Sequence, residues 1–129
     1  MSYKTWFENH AQKHKKIINK LDGFSDDEII EYFDYENMKD KEIDFCPLYK
    51  DNKRCHDIEE LNCYMCGCSN FRLTTEKSFC NINSKYGDTI VGKNGFIHQD
   101  CSKCAIPHGK FFIKKNFNKD WKIMMKDVL

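Results

Sequence analysis

All eight cysteines of this chain lie between Cys46 and Cys104, and that clustering constrains its fold more than any other feature. Two Cys-x-x-Cys turns stand out: Cys63-Tyr-Met-Cys66, followed by Gly67-Cys68, and Cys101-Ser-Lys-Cys104, followed by Ala-Ile-Pro-His108. A two-residue gap lets one tight turn aim both sulfurs at a single ion, as in zinc knuckles and many iron–sulfur sites. Cys46, Cys55, His56 and Cys80 supply further donors close by. A chain built this way is expected to fold around metal rather than around a large apolar core.

The alternative use of eight cysteines is four disulfides. The N-terminus, Met1-Ser-Tyr-Lys-Thr-Trp-Phe-Glu-Asn-His, has no apolar run of signal-peptide length, and no stretch approaches a membrane span. The expected setting is the reducing cytoplasm, where clustered thiols serve as metal ligands.

At 129 residues the chain is expected to form a single domain with three parts: a helical stretch over 1–43, the cysteine-rich core over 44–110 and a C-terminal helix over 111–129. Trp6, His10, His14, Ile17, Ile18 and Leu21 recur at helical spacing, which predicts an amphipathic helix from Ser2 to about Leu21, with Gly23 as its stop. Ser25-Asp-Asp-Glu28 reads as a capping box opening a second helix to about Asn37. The two predict a helical hairpin. Thr89–Val91 and Phe96–His98 flank Gly92-Lys-Asn94-Gly95, a β-hairpin signal. Phe112, Ile113, Phe117, Trp121, Met124, Met125 and Val128 predict a helix from Phe111 to Leu129. The expected class is a small α+β fold: an irregular, metal-stabilised cysteine-rich core with a short β-hairpin, flanked by the N-terminal helical hairpin and the C-terminal helix.

The candidate ligands are Cys46, Cys55, His56, Cys63, Cys66, Cys68, Cys80, Cys101, Cys104 and His108. A tetrahedral zinc takes four, so this set would serve one or two ions. The simplest partition faces the two knuckles across one ion, Cys63, Cys66, Cys101 and Cys104. A second site would then draw on Cys46, Cys55, Cys68, Cys80 and His108. A [4Fe–4S] cluster held by Cys63, Cys66, Cys68 and Cys80 is the alternative, and histidine at two candidate positions favours zinc. His56 is either a ligand or a neighbour of one. His98 is expected to pack in its strand. His10 and His14, at i and i+4, lack the Glu of a metalloprotease signature and read as core or partner-facing histidines.

The net charge is +1, which offers no global attraction to nucleic acid or membrane, and Arg54 and Arg72 are the only arginines, so there is no signal for sequence-specific DNA reading. The charge is segregated: residues 1–21 carry +4, residues 22–60 carry −9 and the remainder +6. Either these patches complement one another, or the basic terminal helices dock an acidic protein or RNA. No phosphate loop or nucleophile elbow is present.

The run Cys55-His56, Leu61-Asn62-Cys63-Tyr-Met-Cys66-Gly-Cys68, Cys80 and Asp100-Cys101-Ser-Lys-Cys104-Ala-Ile-Pro-His108 resembles the cysteine-rich small domain proteins, a zinc-finger-like bacterial and archaeal family. The resemblance covers roughly residues 44–110. It implies that Cys55, His56, Cys63, Cys66, Cys68, Cys80, Cys101, Cys104 and His108 are ligands. Cys46 stands further from Cys55 than the family pattern has it. The resemblance implies metal binding and no particular activity. The function expected is that of a small zinc protein serving as a binding or adaptor module, with a redox or enzymatic iron–sulfur protein as the alternative.

Overall fold

The computed structural model describes residues 2–129. The first helix, α1 (Tyr3–Lys20), starts where Ser2 caps the amide of Thr5 and ends at Leu21 ahead of Gly23. Its buried face is Phe7, His10, His14 and Ile17. Trp6 and Ile18 sit half-buried at its edges. The capping box is present: the Ser25 hydroxyl accepts from the Glu28 amide, and the Glu28 carboxylate accepts from the Ser25 amide.

The helix that Ser25 opens is shorter than its periodicity predicts. It breaks into α2 (Asp26–Tyr32) and α3 (Tyr35–Lys41). The break gives the backbone of Phe33–Tyr35 to another segment: Cys63 N–H donates to the Phe33 carbonyl (2.8 Å) and Tyr35 N–H to that of Leu61 (2.9 Å). A continuous helix would have consumed those groups internally.

Two antiparallel hairpins follow. The expected one pairs β3 (Asp88–Val91) with β4 (Ile97–Asp100), with Val91 opposite Ile97 and Gly95 at φ +83° in the turn. The other pairs β1 (Phe71–Leu73) with β2 (Ser78–Cys80) and has no clear sequence signal. The hairpins touch through a bridge between Lys77 and Ile97 and a bond from the Gln99 amide to Ser78 Oγ (2.7 Å). His98 is exposed, with its ring against Phe96 (4.6 Å), because both strands of this hairpin lie outside the core.

The C-terminal stretch also divides, into α4 (Lys110–Asn116) and α5 (Trp121–Met124). Between them Phe117 turns extended, the Asn118 carbonyl accepts from the Tyr64 hydroxyl, and Asp120 caps α5. These bonds stop the apolar periodicity from running through as one helix.

The core lies between α1, α2, α3 and the C-terminal helices. Phe33, Met38, Tyr64, Met65, Ile113, Trp121 and Met125 are all essentially inaccessible. Trp121 packs on Phe7 (4.7 Å between ring centres), which joins the two ends of the chain.

His10 and His14 belong to this core. His10 stacks on Trp6 (4.8 Å) and His14 on Phe33 (4.8 Å). His14 Nε2–H donates to the Tyr64 carbonyl (3.1 Å), leaving Nδ1 without a partner; His10 Nε2 is likewise unpartnered. Burial lowers His14 to about 4 and His10 to about 3, from an ordinary value of 6.5. Below pH 6.5 the unfolded chain takes up protons that the folded imidazoles refuse. The stability these histidines carry is therefore complete above that pH and is lost as the pH falls toward 4. Each imidazole can cost up to about 1.4 kcal/mol per pH unit in that range. His10→Phe removes one proton acceptor without removing a hydrogen bond of its Nε2. Urea melts at pH 7 and pH 5 should show a smaller acid loss for this variant than for the parent; an equal loss would exclude His10 as a source.

Candidate metal centres

The ligand region begins where the Phe33–Tyr35 break receives Asn62. Asn62 is fully buried and all its side-chain groups are used. Its Nδ2 donates to the Ile30 carbonyl (2.7 Å) and to Asp34 Oδ1 (2.8 Å), and its Oδ1 accepts from Tyr64 N–H (2.9 Å). Its backbone then holds His108 twice. Asn62 N–H donates to the His108 carbonyl (3.0 Å), and the Asn62 carbonyl accepts from His108 Nδ1–H (2.9 Å).

That last bond fixes the tautomer. With Nδ1 protonated, His108 Nε2 presents a bare lone pair, the form that ligates metals whose second nitrogen is held by a carbonyl. It faces Cys55 Sγ at 3.6 Å, and the ring lies 4.9 Å from that of His56. The ligand atoms of Cys55, His56 and His108 all fall within 4.8 Å of one another, so this group can hold a metal ion. No other three such groups among the described residues meet that spacing. Burial lowers both imidazoles below their usual value, which keeps them neutral. Cys55 is exposed at the surface while His108 is buried, so the trio opens outward.

The remaining cysteines sort into two neighbourhoods. Burial raises the Cys66 thiol, and the charges that raise it further belong to Cys63, Cys46 and Cys55. Burial pushes Cys63 up to about 12, with Cys55 and Cys46 again as its thiol neighbours. Cys46, Cys63 and Cys66 thus stand around the trio. Burial likewise raises Cys101 to about 11, but its thiol neighbours are Cys68, Cys104 and Cys80. Cys101 and Cys104 line one cavity with Cys68 and Cys80, whereas Cys63 and Cys66 do not line it, a different grouping from the simplest reading of the spacing. Two consecutive left-handed residues, Gly67 (φ +107°) and Cys68 (φ +56°), turn the chain between Cys66 and Cys68 and send them to different neighbourhoods. Gly67 is obligatory there on two counts. Its φ disfavours any side chain, and a Cβ would lie 3.2 Å from both Trp6 and Trp121.

Two residues of the site carry no motif of their own. Asn62 looks in sequence like any polar residue before a knuckle. Tyr49, in a 3₁₀ turn after Cys46, buries its hydroxyl without a hydrogen-bond partner; after burial itself, Cys63 is the strongest influence raising it.

The lysines of the terminal helices are partly spent. Lys122 pairs with Glu8 (2.9 Å), Lys114 with Asp27 (3.2 Å) and Lys110 with Asp34 (2.9 Å), while Lys13 donates to the Asp44 carbonyl (3.1 Å). Much of the segregated charge is complemented within the chain. No helix among the described residues is long and apolar enough to cross a membrane.

Asn62→Ala should orphan the Tyr64 amide, leave the Ile30 carbonyl with only the Phe33 N–H, and loosen His108. An unsatisfied buried group costs about 1–3 kcal/mol, so a loss in that range is expected in denaturant melts, together with weaker metal retention. Unchanged stability would show that Asn62 does not anchor the site.

The chain matches no family model, no curated protein and no solved structure.

Proposed function

We propose that this chain is a zinc-binding protein of the cytoplasm that acts as an adaptor, its metal fixing a fold whose surface engages a partner. One observation carries the metal reading: the Asn62 carbonyl holds the proton on His108 Nδ1, so an unprotonated Nε2 points at Cys55 with His56 alongside. Mixed sulfur and imidazole donors suit zinc. Iron–sulfur clusters are held mostly by thiolates, with imidazole in a minority of types. Cys46, Cys63 and Cys66 supply thiolates to complete the shell. The resemblance to cysteine-rich small domain proteins agrees with this reading.

The adaptor role rests on chemistry that is missing elsewhere. The site is rich enough in protein donors to fill a tetrahedral shell, which leaves no position for a substrate. Lys15, Lys16, Lys115 and Lys119 form no ion pair among the described residues, and they would meet an acidic protein surface or RNA.

Elemental analysis of the purified protein should find zinc, and His108→Ala should lower its content by one equivalent. Structural zinc sites contribute about 10–16 kcal/mol of apparent free energy in small peptides, against about 5–15 kcal/mol for the total stability of a domain. Strong chelation should therefore abolish the cooperative melt followed by circular dichroism. Iron with acid-labile sulfide would instead transfer the protein to the iron–sulfur alternative. A melt unmoved by chelation would remove the structural role of the metal.

A further inference from the structure

Among residues 66–103, Ser78 is the only one that is buried. This stretch nevertheless forms two hairpins that contact one another. A two-stranded hairpin without an apolar face is marginal in water. The hydrophobic core supplies little of what is missing: Phe71 of β1 packs against it, but β3 is exposed along its whole length, and Ile90, Val91 and Ile97 lie on the surface.

The thiols are in the right place to supply it. Cys68, Cys80, Cys101 and Cys104 all line one cavity of about 30 Å³, walled on the other sides by Phe71, Ile106 and Pro107. The four thiols come from three anchoring points: Cys68 from the turn after Gly67, Cys80 from the end of β2, and Cys101 and Cys104 from the knuckle that follows β4. Several donors already point at the sulfurs. Ser84 N–H donates to Cys80 Sγ and Ser84 Oγ contacts Cys104 Sγ, both at 3.5 Å.

We propose that Cys68, Cys80, Cys101 and Cys104 form a second metal centre, a tetrathiolate site for a single zinc ion that staples the two hairpins to the knuckle. The proposal rests on the reading of the chain as metal-binding but not on occupancy of the Cys55–His56–His108 group. Four thiols lining one cavity match in number the tetrahedral shell of a single zinc ion. No three of the four sulfurs lie within 4.8 Å of one another, so the ion would draw them inward across the cavity. Metal binding releases the thiol protons and breaks no other bond.

The full chain, stripped of metal and titrated with cobalt(II) under reducing conditions, tests this. Cys80→Ser and Cys104→Ser should each bind one equivalent fewer than the parent and lose part of the sulfur-to-cobalt charge-transfer absorption. His108→Ala should also lose one equivalent, and combining it with Cys80→Ser should remove two. Full stoichiometry in both Cys80→Ser and Cys104→Ser would refute the second centre, whatever His108→Ala does. If His108→Ala keeps its full stoichiometry while the cysteine variants lose metal, the second centre stands and the first reading fails. Should the cysteine variants not fold, cadmium-113 spectra of the Cys55→Ser protein decide. A resonance in the all-sulfur range supports the centre, and its absence overturns it. Iron and sulfide at this site would overturn the single-ion assignment.

Discussion

The paired backbone bonds between Asn62 and His108 are the contact on which the rest of the molecule depends. They close a loop of the chain that contains both hairpins and six of the eight cysteines, and they set the protonation of the one buried imidazole in the ligand region. Asn62 can make them only because α2 and α3 separate at Phe33–Tyr35 and give their freed backbone groups to the Leu61–Cys63 segment. The helical half of the protein thus determines where a candidate metal ligand, His108, stands. A helix that ran on to Asn37 would have satisfied itself and left Asn62 with nowhere to dock.

This division explains how so small a chain supports a long, poorly buried segment. The apolar core, from Phe7 through Tyr64 and Met65 to Trp121, Met125 and Val128, is assembled from the two ends of the chain and the short stretch before the first knuckle. Everything between Cys66 and Lys103 projects from it. Leu73 N–H reaches back to the Val128 carbonyl (2.8 Å), Trp121 Nε1–H to the Cys66 carbonyl (3.2 Å), and Phe71 packs on Tyr3 (5.1 Å between ring centres). Cys63 lies within that core and Cys46 packs against it, whereas Cys80 and Cys101 stand outside it.

Elements whose signals are local were legible in the sequence. The first helix, the Ser25–Glu28 capping box and the Asn94-Gly95 hairpin lie close to their expected bounds because propensity, caps and turn geometry act over a few residues. Both helices that proved shorter than expected were cut by partners distant in sequence: Cys63 at Phe33 and Tyr64 at Asn118. Apolar periodicity carries no information about such partners. The same limit governed the ligands. Spacing identified which residues carry donors and brought Cys55, His56 and His108 into one candidate set. Which knuckle meets which cysteine depends on two backbone angles, at Gly67 and Cys68, and a Cys-Gly-Cys string is compatible with either outcome.

Gly67 also has an optical consequence. Both tryptophans of the chain converge on it: Trp6 and Trp121 each lie where its side chain would be, and Trp121 Nε1–H donates to the Cys66 carbonyl (3.2 Å). Every intrinsic indole emitter in the protein therefore reports on the peptide that joins the two thiol neighbourhoods. Any rearrangement that swings Cys66 against Cys68 must change the packing around both rings. Their emission serves as a built-in, label-free gauge of that swivel, readable in real time without adding a dye to a surface of unknown role.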